Sequence, residues 1–156
     1  MQSSTNISQC VSHSFGKLNR RVDSAQSTRS SQFKIEAMLG KQKVNMVIDT
    51  GAASSIIPIQ LVQMSNLCPT PVRLTSANGT PITTYGQLYL PITIPKLRRT
   101  YYWTFIAADV TNVILGLDFL QQFKMNINCS NKTLTDDLHV HNAKIHKMED
   151  EQSRVM

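Results

Sequence analysis

The sequence predicts an all-β domain. Three observations carry that prediction. Short runs rich in Val, Ile, Thr, Tyr and Phe follow one another from Gln32 to about Asp136, turn signals built on glycine or asparagine separate them, and only one segment has helical spacing. With 156 residues, a formal net charge of +6, and 41% hydrophobic against 17% charged residues, the chain has the length and balance of one small domain with tails. Residues 1–31 hold nine serines and few apolar side chains, too little to offset chain entropy by burial, and are expected to be a disordered, basic leader. Residues 32–136 are the domain, and residues 137–156, with His139, His141 and His146 among scattered charges, are expected to be a flexible tail.

Within the domain, Phe33 to Leu39 and Lys43 to Asp49 flank Gly40-Lys41-Gln42 as a β-hairpin. A second hairpin turns at Asn78-Gly79, with Arg73 to Ala77 leading in and Ile82 to Ile94 leading out, and Asn-Gly suits the positive φ angles of a type I′ turn. Tyr101, Trp103 and Phe105 share one face of the next strand and Tyr102, Thr104 and Ile106 the other, which predicts burial on both sides. Such a two-faced apolar strand reads as core rather than as a platform for stacking bases. Val113-Ile114-Leu115 is an apolar run closed by Gly116, and Leu117 to Phe123 reads as a short helix whose first turn Asp118 is placed to cap. Met125 to Cys129 and Lys132 to Thr135 then pair around Ser130-Asn131.

Composition narrows the function classes. No apolar run reaches the roughly 18 residues of a membrane helix and the N-terminus lacks a secretory h-region, so a cytoplasmic protein without membrane attachment is expected. Cys10, Cys68 and Cys129 form no C-x-x-C pair and are expected to be free thiols. The positive charge is spread as +3 in the leader, +4 in the domain and −1 in the tail, without a dense basic block, so nucleic acid is not the expected partner of this domain. The tail histidines have no cysteine or carboxylate at ligand spacing, and no metal or organic cofactor is implied.

The chemistry concentrates in Val47-Ile48-Asp49-Thr50-Gly51-Ala52. A buried strand that runs into a carboxylate needs a partner for the charge or a use for it, and no basic residue stands nearby in sequence. An Asp-Thr-Gly turn alone is weak evidence. Here a double-apolar lead-in precedes it, a small residue follows, the Asn-Gly hairpin comes 29 residues later, and Ile114-Leu115-Gly116 opens a helix beyond that.

In that ordered set the sequence resembles the retropepsin aspartic proteases, most closely those of gypsy-type LTR retrotransposons. The matching stretches are VIDTGAASSIIP, SANGTPITTYGQLYLPITI and WTFIAADVTNVILGLDFLQQF, in the family's order. The resemblance implies a closed β-barrel or sandwich with a flap hairpin and one short helix, which is half of a two-fold dimeric protease. It implies that Asp49 is the catalytic aspartate, that Thr50 ties the two active-site loops together, and that Gly51 lets substrate backbone approach. Asn78 and Gly79 correspond to the flap tip, and Val47, Ala52, Ile82, Asn112 and Ile114 are the expected subsite walls.

Retroviral members carry an Asp one place after the alanine of Asp-Thr-Gly-Ala and an Arg after the later glycine, and the two pair. Here those positions hold Ala53 and Leu117, so both partners are missing together and no single buried charge is stranded. Peptide hydrolysis by this class needs one carboxylate as base and a second as acid, close enough to share a proton. The chain has one Asp-Thr-Gly, so a second copy of the chain has to supply the other. The expected function is therefore an aspartic endopeptidase, active as a homodimer on a polypeptide, an element-encoded polyprotein. The alternative is a domesticated or truncated retroelement product that keeps the fold as a dimerisation or binding module without turnover.

Overall fold

In the computed structural model, the described residues are 19–22, 32–137, 143–144 and 146–147, with side chains placed in 32–137. Strands β1 (Asn19–Val22), β2 (Phe33–Leu39), β3 (Gln42–Ile48), β4 (Ile56–Pro58), β5 (Arg73–Ser76), β6 (Pro81–Ile82), β7 (Thr84–Ile94), β8 (Arg99–Ala108) and β9 (Val113–Leu115) precede helix α1 (Leu117–Gln122). Strands β10 (Met125–Asn128), β11 (Thr133–Asp136), β12 (Ala143–Lys144) and β13 (His146–Lys147) follow it.

Six of these strands close a barrel in the order β2-β3-β9-β4-β8-β7, and β7 returns to β2 through Met38 opposite Thr93 and Leu39 opposite Ile92. Closure covers the Met38–Leu39 end of β2, while its Phe33–Lys34 end keeps an edge that β13 takes. The β2–β3 turn is a two-residue loop with Gly40 at φ +57° in its first position, the type II′ arrangement that matches the twist of a hairpin. Alternation along β2 buries Ile35, Ala37 and Leu39, which pack with Met46, Ile92, Phe105 and Leu115 inside the barrel. Aromatic rings plug one end: Tyr101 meets Phe119 and Phe123 edge-on with centroids 5.5 and 4.9 Å apart, and Trp103 meets the same two at 6.0 and 5.7 Å. Trp103 and Tyr101 are thus packing residues.

The Tyr101 hydroxyl, on a residue 1% exposed, donates to Asp136 Oδ2 at 2.7 Å, and Arg99 Nη1 lies 3.4 Å from the same oxygen. Burial, reinforced by that hydrogen bond and by the Asp136 charge, pushes the phenol well above its ordinary value of 10.0. An unfolded chain ionises Tyr101 near that ordinary value while the folded chain keeps it neutral. The stabilisation is therefore whole below about pH 10 and is lost as pH rises beyond it. Urea midpoints of the native chain should fall between pH 9 and 11 more steeply than those of Tyr101→Phe; equal slopes would contradict this reading.

Several expectations need correction. Part of the leader is not disordered: β1 lies parallel to β5, and the rest of residues 1–31 falls outside the described residues. The tail likewise contributes β12 beside β11 and β13 beside β2, while His139 and His141 lie outside the described residues. Strands of two to four residues carry no periodic signal of their own; exposed sheet edges recruit them. Strand β4 also escaped the sequence reading, because three buried residues are too few for periodicity. The run from Ile82 to Ile94 is interrupted at Thr83, so that β6 and β7 belong to different sheets. Tyr102 is 55% exposed and stacks on Tyr89, so only the second half of β8 is buried on both faces. Cys68 is disulfide-bonded, and Cys129 is free and exposed. An odd cysteine count excludes full pairing but not one bond. Among the described residues, no helix is long and apolar enough to cross a membrane.

Candidate functional site

The site begins where β3 leaves the barrel. Met46, Val47 and Ile48 are buried, and the chain then meets Asp49, half-buried, followed by exposed Thr50 and Gly51. Asp49 N–H donates to Leu115 C=O at 3.1 Å, which extends the β3–β9 ladder one residue past the strand. Ala52 N–H donates back to Asp49 C=O at 3.2 Å, and Gly51 N–H donates to Asp49 Oδ1 at 2.9 Å. The tight turn thus orients the carboxylate with its own backbone.

The β9–α1 junction supports that turn from below. Leu117 N–H donates to Ala52 C=O at 2.7 Å, and Gly116 N–H to Ser55 Oγ at 3.0 Å. A β-carbon on Gly116 would stand 2.5 Å from Ser54 O, 2.6 Å from Ser54 C and 2.8 Å from Ala52 O. All three are backbone atoms, so glycine is required here by close approach; its φ of −88° would suit any residue. Gly116→Ala should therefore cost about 1–3 kcal/mol and lower activity by displacing the Asp49 turn. A urea midpoint equal to that of the native chain would refute the steric argument.

The flap hairpin β5–β6 forms the roof. Its turn is not type I′: Gly79 has φ +85°, but Asn78 is not in the positive-φ region. Gly79 N–H donates to Ser76 C=O at 2.9 Å and Ser76 N–H to Thr80 C=O at 2.8 Å, which makes a three-residue loop ended by a left-handed glycine. The Asn78 side-chain oxygen accepts from Thr80 N–H at 3.0 Å and from the Ser76 hydroxyl, so asparagine braces the tip through its side chain.

Beneath this roof lies a cleft of about 620 Å³, lined by Asp49, Val47, Ile82 and Ile114, by Asn78 and Asn112, and by Gln32, Ser76 and Asp109 among others. It brings six of the expected site residues together. Gly79 sits at the exposed tip, and Gly51 lies in the turn beside Asp49. Ala52 is not a cleft wall: it is fully buried behind the turn against Ile56, Leu74, Ile106 and Ile114, because the turn carries its methyl group inward. Thr50 faces away, into a separate groove of about 270 Å³ with Leu117, Leu120, Lys124, Met125 and Ile127. Among the described residues, no cluster of His, Cys, Asp and Glu has the makings of a metal site.

Sequence reasoning missed a polar anchor beside the turn. Asp118 is not the N-cap residue of α1, which is Gly116 with no side-chain bond, but from the first turn it caps Phe119 N–H as expected and also reaches beyond the helix. Its Oδ1 accepts from the Ser55 hydroxyl at 2.8 Å and from Phe119 N–H at 2.8 Å, and its Oδ2 accepts from Ser55 N–H at 3.0 Å and Trp103 Nε1–H at 3.2 Å. The carboxylate therefore joins the residue before β4 to β8 and α1, where Ala53 and Leu117 leave no acid–base pair. The one signal for it was two adjacent serines, Ser54 and Ser55, before the apolar Ile56-Ile57.

The fold has counterparts among solved structures. The barrel is similar to the retroviral protease-like domain of Ddi1 from Leishmania major, with TM-score 0.55 and 17% identity over 78% of this chain and 99% of that one. The EIAV protease complexed with the inhibitor HBY-793 has TM-score 0.45 and 19% identity over 67% of this chain and 99% of that one. A retropepsin-like aspartic protease from Rickettsia conorii has TM-score 0.45 and 18% identity over 62% and 76%. No curated protein matches the sequence. Residues 35–122, which run from β2 through α1 and include Asp49, the flap and Gly116, match the family described as “gag-polyprotein putative aspartyl protease”. By that match over more than half its length, on a retropepsin-like barrel, the chain belongs to the gag-polyprotein aspartyl protease family.

Proposed function

We propose that the protein is an aspartic endopeptidase in which Asp49 of two copies of the chain activates water against a peptide bond. The observation that carries this reading is Asp49 at the floor of a cleft with Val47, Ile82 and Ile114 as apolar walls and the Asn78-Gly79 hairpin as a roof. An extended peptide offers what such a cleft takes: a backbone for hydrogen bonds and side chains for apolar pockets. One Asp49 takes a proton from the water while its counterpart, protonated, donates to the carbonyl oxygen, and the pair shares one proton because two adjacent carboxylates cannot readily both ionise. Thr50, exposed on the groove beside Met125 and Ile127, belongs to the face that meets the second copy. The substrate we assign is a polyprotein encoded by a gypsy-type retroelement, cut between apolar residues in the cytoplasm. The reading is tested by incubating the purified chain with a gag-like polyprotein, with and without a general aspartic-protease inhibitor; absence of inhibitor-sensitive fragments defeats it.

A half-site per chain has a concentration signature. Specific activity should fall on dilution through the dimer dissociation constant, because the monomer lacks the second carboxylate. Activity that stays flat from micromolar to the detection limit, with a monomer mass by sedimentation, would contradict the shared site.

A further inference from the structure

The flap strand β5 has two edges. One pairs with β6, Leu74 opposite Ile82 and Thr75 opposite Pro81. Along the other runs the leader strand β1, parallel, from Asn19 opposite Arg73 to Val22 opposite Ser76. That pairing ends at the cleft, since Ser76 lines it together with Asn78 and Asp49. An open sheet edge recognises an extended chain through main-chain hydrogen bonds, which nearly any sequence can supply. We infer that the outer edge of β5 is a strand-docking site at the cleft rim, that segment Asn19–Val22 occupies it in the resting chain, and that a peptide substrate has to displace it. This inference rests on the protease reading above.

The chain connection favours this occupant. Nine residues separate Val22 from Gln32, which itself lines the cleft, so the segment is tethered within about 36 Å of the site it fills. A tether of that length holds a ligand at an effective concentration on the order of millimolar, which sustains a pairing too short to persist between free molecules. Since an incoming peptide binds only the fraction of molecules whose edge is open, occupancy of about nine-tenths raises its apparent dissociation constant about tenfold.

The test compares the full chain with the double variant Arg20→Pro, Arg21→Pro. Alternate residues of a strand turn their N–H toward a given neighbour, so two adjacent prolines remove the donor whichever residue faces β5. The probe is a statine-containing peptide inhibitor titrated by calorimetry, and amide exchange is followed in parallel. The variant should bind the peptide about tenfold more tightly and exchange faster at Arg73 to Ser76, with exchange in β2, β3 and β8 unchanged as evidence that the barrel is intact. Equal affinity of both chains, or unchanged protection at Arg73 to Ser76, overturns the docked leader while leaving the protease reading in place. Failure of both chains to bind the peptide overturns the protease reading, and the inference with it.

Discussion

Asp49→Asn should reduce peptide cleavage by about 10³-fold or more while leaving the unfolding free energy within about 1 kcal/mol of that of the native chain. Asparagine has the shape of aspartate but can neither take the water's proton nor share one with the second copy. Its side-chain oxygen can still accept the Gly51 N–H that now reaches Asp49 Oδ1 at 2.9 Å, so the turn keeps its internal bond. The backbone bond from residue 49 N–H to Leu115 C=O is unaffected by the substitution. Inactivity with retained stability is what separates a reacting carboxylate from a structural one, since a structural Asp49 would lose stability first. Appreciable cleavage by a homogeneous Asp49→Asn preparation would overturn Asp49 as the reacting carboxylate, and absence of cleavage by the native chain as well would leave a binding or dimerisation module. Assaying the variant and the native chain side by side on one peptide, with unfolding curves for both, gives the answer.

How far the sequence reached depends on the length scale of each signal. Strand β2 and helix α1 were readable because seven alternating residues, or four apolar ones at helical spacing, bury a continuous face. Asp49 stood out because a carboxylate at the end of a buried apolar strand violates local preference, and such violations mark sites. The cleft walls from Val47, Ile82 and Ile114 followed from the resemblance, whereas Ala52 failed because a one-residue step around a tight turn reverses the direction of a side chain. Strand β1 and the Asp118 anchor were invisible for another reason. Asn19 pairs with Arg73, and Ser55 with Asp118 across 63 residues of chain, and no local pattern encodes a partner that distant. The turn at Asn78-Gly79 shows the intermediate case: the residue types announced a turn, but the side-chain bonds from Asn78 to Thr80 and Ser76 decided which one.

That distant pairing makes Asp118→Ala the substitution with the largest expected effect on stability. Four donors converge on its carboxylate: Ser55 N–H, the Ser55 hydroxyl, Trp103 Nε1–H and Phe119 N–H. The donor side of Ser55 is fully enclosed, with 0% of that residue exposed, so its N–H has no water to turn to when the acceptor is removed. Breaking such a network costs about 3–5 kcal/mol, a large share of the 5–15 kcal/mol that holds a typical domain together. The loss should also reach the reaction, because Ser55 Oγ accepts from Gly116 N–H, and Gly116 packs on the backbone of the turn that carries Asp49. Asp118→Asn discriminates between lost charge and lost geometry. Oδ2 accepts from both Ser55 N–H and Trp103 Nε1–H, and an amide placed there presents hydrogens to two donors. If instead the amide oxygen takes the Oδ2 position, its NH₂ group faces Phe119 N–H and leaves only the rotatable Ser55 hydroxyl able to adapt. Either orientation keeps roughly half the bonds, so Asp118→Asn should fall between the native chain and Asp118→Ala. Trp103 is the chain's only tryptophan and its indole N–H is one of the four donors, so fluorescence-detected urea unfolding reads the network directly. An Asp118→Ala midpoint indistinguishable from that of the native chain would mean that the carboxylate is a bystander and that the turn bearing Asp49 is held by the backbone bonds of Leu115 and Leu117 alone.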